Sequence, residues 1–173
     1  MTKTHELLQE LEQEARTTRR VLARVPNDRL GWKPHDKSMS LGQLALHVAI
    51  VPGAVAELSQ KSPVPVPQFV HPSPTSGAEL IPALDESIAK ATAVLRSIDD
   101  AALEKIWRTM DGDKEVMALP VGALLRSIML NHWYHHRGQL CVYLRQVGVP
   151  VPSVYGPSAD ENPFAARTAG ASA

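Results

Sequence analysis

The chain has 173 residues, of which 44% are hydrophobic and 21% charged, and its formal net charge at pH 7 is zero. These totals suit one globular domain, and the balanced charge excludes the positive field that a nucleic-acid partner requires. No apolar run reaches the roughly 20 residues of a membrane span, and the lone Cys141 suits a reducing compartment, so we expect a cytoplasmic protein without a membrane role.

Helical periodicity dominates the first third of the chain. Between about Thr4 and Arg24, apolar and small residues recur in steps of three and four, which places them on one face of a helix that Pro26 ends. A second helix runs from Ser40, a favourable N-cap, to about Gln60. Because Pro52 and Gly53 lie inside this second helix, we expect a kink or a break there.

The middle of the chain contains a connector and a third helix. Residues 61–76 hold five of the fourteen prolines, which predicts a long, extended, exposed connector. A third helix begins near Gly77 and carries the clearest amphipathic stripe in the sequence. The stripe consists of Ile81, Leu84, Ile88, Ala91, Leu95 and Ile98. Residues 104–119 are irregular, and Asp111-Gly112 could form the turn of a small hairpin.

A fourth helix is predicted from about Pro120, favourable at a first helical position, to Gly148, favourable just past an end. Four helices with one long connector predict an all-α, four-helix bundle with a crossover. We assign the bundle domain to residues 1–157 and a C-terminal tail, partly ordered at most, to residues 158–173. Tyr155 near this tail could fold back over a site on the bundle.

The segment NHWYHHRGQL, residues 131–140, carries the clearest chemical signal. His132 and His136 are four residues apart on the fourth helix, so their rings share one face and can share one metal ion. His47 lies on the core-facing stripe of the second helix. Single histidines on apolar faces usually hydrogen-bond a carbonyl, but three would need three separate partners, whereas one cation satisfies all three. The spacing therefore predicts a three-histidine site for a divalent metal.

The pattern also limits the chemistry of that site. The sequence does not contain a zincin motif, since Trp133 follows His132 where that motif requires glutamate. Three nitrogen ligands leave at least one coordination position for water or substrate, as in catalytic sites. Such an ion would acidify water or a thiol, or polarise a substrate oxygen. Zinc, nickel and iron all suit imidazole ligands.

Other polar residues near this segment are weaker candidates. His135 projects about 60° to one side of the predicted ligands, which favours a supporting or packing role. Cys141 lies about 180° from His132, which argues against a role as ligand or nucleophile. Gln139 and Tyr143 share the ligand face and could orient a bound ligand or simply pack. The histidines that we expect to be solvated are His5, His35 and His71.

The segments SMSLGQLALHV, NHWYHHRGQL and VPSVYGPSADE together resemble the DinB-like (DinB/YfiT) metalloenzyme superfamily, over nearly the whole chain. The resemblance implies an up-down-down-up four-helix bundle, often dimeric, that binds zinc or nickel through three histidines. The positions that match are His47, His132 and His136. Characterised relatives include thiol-dependent S-transferases and a thiol-dependent isomerase.

The resemblance thus implies a transferase that activates a low-molecular-weight thiol toward a small-molecule electrophile, although nothing in this sequence selects a thiol. A hydrolase that activates water at the same site is the other enzymatic interpretation. A non-catalytic metal-binding or sensing bundle, and a helical interaction module without metal, are the alternatives outside catalysis. A fourth protein ligand would favour the structural site, and an open coordination position would favour the enzyme.

The far side of the fourth helix suggests an assembly. Leu130, Trp133, Cys141 and Leu144 lie away from the histidines, although a helix in a simple bundle has one apolar stripe and a polar outer face. An exposed apolar patch of this kind usually marks an interaction surface, which predicts a two-fold homodimer. The alternative is that the connector or the tail covers the patch within the same chain.

Overall fold

A computed structural model describes residues 2–68 and 70–165 of the chain. The long helices are α1 (Lys3–Leu22), α2 (Leu41–Ser59) and α3 (Leu80–Ser97). The last helical region consists of α5 (Val121–Leu124), a π-helical segment (Leu125–Asn131) and α6 (His132–Gln146). The short elements are 3-10 turns at Asn27–Arg29 and Gly77–Glu79, α4 (Asp100–Leu103), and strands β1 (Val64–Pro65), β2 (Ile106–Asp111) and β3 (Lys114–Pro120).

The helices form a bundle in which α3 packs against α1 and α2, and α2 packs against the last helical region. Their bounds follow local signals close to those predicted. Ser40 and Gln43 form a capping box at the start of α2. Gly148 adopts a φ of 78° just beyond α6, a conformation that favours glycine. By length and composition α2 could cross a membrane, but 61% of its apolar window is buried, as in the core helix of a soluble protein.

A three-stranded sheet shows that the prediction of an all-α chain was wrong in part. β2 pairs antiparallel with β3, and β1, within the proline-rich segment, pairs parallel with β2. The hairpin prediction is confirmed, with Gly112 at a φ of 56° in the turn. The sheet forms because side chains of β2 alternate, and Trp107 and Thr109 are buried on one face.

Proline within α2 leads to a hydrogen bond between helices rather than to a break. Pro52 has no N–H, so the carbonyl of Val48, four residues earlier, loses its helical donor. The indole Nε1 of Trp133 donates to this carbonyl oxygen at 2.8 Å, and Trp133 is fully buried. This side chain supplies the donor that the backbone lacks, and α2 continues to Ser59.

The residue after this proline allows α2 and α3 to approach closely. The N–H of Gly53 donates to the Ser87 hydroxyl oxygen at 2.8 Å, and that hydroxyl donates to the Ile50 carbonyl at 3.0 Å. A Cβ atom at position 53 would lie 2.7 Å from the Ser87 carbonyl oxygen, which is too close for any side chain. Glycine is therefore required where the two helices touch.

The last helical region differs from the uninterrupted α-helix predicted. Its middle, Leu125–Asn131, is π-helical and ends at the first histidine of α6. The wider i→i+5 turns change which residues share a face, so α-helical angles do not extend from α5 to α6. Segments of this kind are frequent at functional sites.

The exposed apolar patch predicted on this helix does not exist. Leu130, Trp133 and Leu144 are fully buried within the chain, and Cys141 is partly buried. The far side of the helix faces the core, because α2 covers Trp133 and α1 covers the neighbouring Arg137. The homodimer itself stays a prediction, but its interface must lie elsewhere.

We predict that Trp133→Phe lowers the free energy of unfolding by about 1–3 kcal/mol, because it leaves the buried Val48 carbonyl without a donor. Urea unfolding of the wild-type protein and of this variant measures the loss. Trp32→Phe is the control, since Trp32 is only half-buried and meets Tyr143 edge-on. Equal losses for both variants would contradict the role given to the indole hydrogen bond.

Candidate metal centre

The structure brings the three predicted histidines together. His47 extends from α2 toward His132 and His136 on α6, and the Nε2 atoms of His47 and His132 are 3.2 Å apart. One ring nitrogen from each of the three lies within 4.8 Å of the others. The rings of His132 and His136 meet nearly perpendicular, with their centres 4.3 Å apart, as expected for an i,i+4 pair.

These nitrogens fit a single divalent ion. Zinc–imidazole bonds of 2.0–2.1 Å in a tetrahedron place two nitrogens roughly 3.3 Å apart, close to the 3.2 Å between His47 and His132. Among residues 2–68 and 70–165, the cluster contains no further histidine, cysteine, aspartate or glutamate. Coordination by these three rings would thus leave a position for a ligand that is not part of the protein.

Burial keeps the three imidazoles uncharged. It lowers the pKa of His47 and of His136 to about 4, with a further lowering from the neighbouring imidazoles. Burial, and then His135, also lowers the pKa of His132. Neutral rings are the form that binds a metal, so at pH 7 the cluster loses no protons before binding.

A glutamine on the same helix orients the ring of His136. The Nδ1 of His136 lies 2.7 Å from the Oε1 of Gln139, one turn further along the helix. An amide oxygen there accepts the Nδ1 proton and leaves Nε2 free to bind a metal. Tyr143, for which a similar role was open, instead packs edge-on against Trp32. Of these two residues, Gln139 is the one that supports the cluster.

Arg137, adjacent in sequence to His136, points into the protein core instead of the cluster. It is 1% exposed and pairs with Glu14 of α1 at 2.6 Å. Its guanidinium also donates to the Thr18 hydroxyl at 3.1 Å and to the Tyr155 hydroxyl at 2.5 Å. Tyr155 in turn donates to Glu14 at 2.9 Å, so it packs behind α6 and does not cover the histidines.

The C-terminal residues that the structure describes pack along the same side. Asp160 pairs with Arg145 and accepts the N–H of Val151 at 2.8 Å. Glu161 pairs with Arg20 of α1. Tyr155, Asp160 and Glu161 of VPSVYGPSADE thus tie this segment to α1 and α6.

One neighbour of the cluster was missed by the sequence analysis. His71 is exposed as predicted, but its ring centre lies only 5.4 Å from that of His47. Gln43 holds it there, since its amide donates to the His71 carbonyl at 3.0 Å while its oxygen caps α2. The capping-box pattern was visible in the sequence, but the second contact of Gln43 was not.

The remaining candidates stay outside the cluster. His135 is exposed beside His136, with ring centres 5.0 Å apart. His5 and His35 are exposed, as predicted. Burial raises the pKa of the Cys141 thiol, which disfavours the thiolate that a nucleophile or ligand requires.

The cluster borders an apolar cavity of about 520 Å³, and His47 and His132 form part of its wall. Its size lies within the range of small-molecule sites. A larger cavity of about 690 Å³ lies near the C-terminal ends of α2 and α3, but its wall is polar and contains no histidine. The chemistry of the wall therefore identifies the smaller cavity as the candidate site.

The metal-free protein should lose stability as the pH falls from 7.5 to 5.5. Unfolded histidines have a pKa near 6.5, whereas folding holds those of His47 and His136 at about 4. The unfolded chain therefore binds more protons in this window, and protonation favours unfolding. Urea unfolding at both pH values measures the effect. The variant His136→Gln should show a smaller difference in stability between the two pH values. An unchanged difference would contradict the lowered pKa assigned to His136.

Comparison with known proteins gives the family. The model of the DinB family matches residues 1–165. The uncharacterized protein YrdA of Bacillus subtilis (strain 168) is 27% identical over 156 residues, which cover 89% of each chain. A DinB-like crystal structure from Bacillus cereus ATCC 10987 has a TM-score of 0.68 at 24% identity, covering 86% of this chain and 95% of that one. YfiT from Bacillus subtilis has a TM-score of 0.63 at 16% identity, and the match covers 86% of this chain and 90% of that one. YfiT is described as a probable metal-dependent hydrolase with an unusual four-helix bundle topology. With a match that spans nearly all of its residues, the chain belongs to the DinB family.

Proposed function

We propose that the chain is a metal-dependent enzyme that holds one divalent ion, zinc or nickel or else iron, at His47, His132 and His136. The observation that carries this proposal is the convergence of three neutral imidazoles, without a fourth protein ligand among the described residues, beside an apolar cavity. A bound ion there would acidify a small nucleophile and polarise a substrate oxygen. The chain's own part is to orient the rings and to exclude water from one side.

Water is the nucleophile that the cavity favours. The low-molecular-weight thiols used by related transferases carry charged groups, and the part of the cavity wall that the structure describes contains no lysine, arginine, aspartate or glutamate to pair with them. The relative YfiT is described as a probable metal-dependent hydrolase, which supports the same choice. We therefore place hydrolysis first, and transfer of a thiol to an electrophile second.

A non-catalytic metal-binding bundle is the alternative outside catalysis. Structural zinc sites are normally closed by four protein ligands, whereas catalytic sites keep one position for water or substrate. The three-histidine cluster has the second pattern among the described residues. X-ray absorption of the zinc-loaded protein tests this point, because three imidazoles plus exchangeable oxygen support the enzyme and a fourth protein ligand contradicts it.

Metal content should separate ligands from their neighbours. We expect His136→Ala to reduce bound zinc well below one ion per chain, and His135→Ala to leave it nearly unchanged. Gln139→Ala should weaken zinc binding by about 10–100-fold, because it removes the partner that orients His136. Gln146→Ala, an exposed glutamine on the same helix, is the control. Equal metal loss from His135→Ala and His136→Ala would refute the assignment.

Turnover tests the enzyme itself. The zinc-loaded protein should hydrolyse neutral p-nitrophenyl esters, with the rate lost after chelation and restored by added metal. His132→Ala should abolish this activity, while His5→Ala, an exposed histidine remote in sequence, should retain it. If rates instead appear only when a thiol and an alkylating electrophile are both present, the transferase is correct. Absence of both activities in a fully loaded protein would leave the non-catalytic bundle.

A further inference from the structure

The apolar cavity beside the histidines has a structure of its own. It is bounded by α2, by residues 66–67 after β1, by the β2–β3 hairpin and by the last helical region, and its lining is mainly apolar, with His47, His132 and Thr109 as the exceptions. The described wall carries no charged side chain. A charged ligand would lose its hydration there without compensation, so the wall selects a neutral one.

Four exposed apolar side chains lie at this cavity. Val66, Val116, Met117 and Ile128 are each between 38% and 53% exposed, and all four line it. Two of them depend on an irregularity in the sheet, since Thr109 pairs with Met117 and Met110 pairs with Glu115. Val116 is thus the extra residue of a β-bulge, a device that redirects side chains.

One polar atom in the sheet wall lacks a hydrogen-bond partner. Thr109 is 5% exposed, and its hydroxyl oxygen is the single buried side-chain polar atom without a hydrogen bond among the described residues. Trp107, on the same face of β2, is satisfied because its indole donates to the Leu58 carbonyl at 3.2 Å. An unpaired buried hydroxyl is costly, and a ligand that supplies a partner recovers that cost.

We propose that this cavity binds the apolar part of a neutral substrate, with the Thr109 hydroxyl as its polar anchor and the reactive group at His47 and His132. Only the position of the reactive group rests on the proposed function. The volume of about 520 Å³, the apolar wall and the unsatisfied hydroxyl hold whether or not a metal is bound. A small molecule fits better than a second copy of the chain, because a concave wall containing histidines favours an inserted ligand.

Binding of linear alcohols to the metal-free and the zinc-loaded protein tests the proposal. From 1-butanol to 1-octanol, affinity should rise about fourfold per methylene, the factor that about 0.8 kcal/mol of apolar burial gives. Octanoate should bind at least about tenfold more weakly than 1-octanol to the metal-free protein, since burying its charge is unfavourable. The indole N–H signal of Trp107 in a two-dimensional NMR spectrum should shift, and that of Trp133 should not.

Two variants locate the ligand. Ala54→Phe places a ring in the cavity from α2 and should weaken 1-octanol binding by about tenfold or more, whereas Ala93→Phe, at an exposed alanine of α3 outside the cavity, should not. Thr109→Val should weaken 1-hexanol about five- to tenfold and leave 1-chlorohexane unchanged. A merely structural role for the hydroxyl would change the affinity for both ligands or for neither.

The outcomes separate this inference from the proposed function. Alcohol binding without any turnover supports the cavity assignment and counts against the enzyme. Turnover of esters that is indifferent to chain length and to Ala54→Phe overturns the cavity assignment and leaves the enzyme. Equal affinity for 1-octanol and octanoate also overturns it. A dimeric mass would also overturn it if the indole N–H signal of Trp107 changed with protein concentration in the absence of ligand. A second copy of the chain would then occupy the cavity.

Discussion

A single hydrogen bond between two helices underlies the geometry of the candidate centre. Pro52 leaves the Val48 carbonyl without its helical donor, and the Trp133 indole occupies that vacancy at 2.8 Å. Val48 follows His47 in sequence, and Trp133 follows His132. The bond therefore joins α2 to α6 one residue away from the two rings whose Nε2 atoms lie 3.2 Å apart. A proline that weakens α2 as an isolated helix thus fixes its position relative to α6.

Among residues 2–68 and 70–165, the only side chains whose charge shifts the pKa values of the three histidines are other histidines. Arg137 directly follows His136, yet its guanidinium lies on the opposite side of α6 and is neutralised by Glu14. Burying this pair requires its extra hydrogen bonds to Thr18 and Tyr155, since an incompletely satisfied ion pair in a core is unfavourable. Burial keeps the histidines neutral, and a cation bound there would be the dominant local charge.

The sequence predicted the helices, the hairpin and the convergence of the histidines, because each depends on local spacing. The i,i+4 pair His132 and His136 and the core-facing His47 could be recognised from periodicity alone. The π-helical segment could not, since Leu125–Asn131 has no sequence signal that distinguishes it from an α-helix. The exposed face inferred for the dimer was wrong because α2 and α1 cover that side of α6, as the contacts of Trp133 and Arg137 show. The contacts of Arg137 and His71 depend on partners distant in the chain, and no local pattern reports them.

The β-bulge in the hairpin has a consequence for how this protein can change. The proposed ligands lie on α2 and α6, inside the bundle, whereas Val116 and Met117 lie on a strand that is exposed along nearly its whole length. Substitutions in that strand alter the shape of the cavity at little cost to the bundle, because few core contacts depend on them. The shape of the cavity can therefore change, through substitution or through redesign of the hairpin, independently of the histidines.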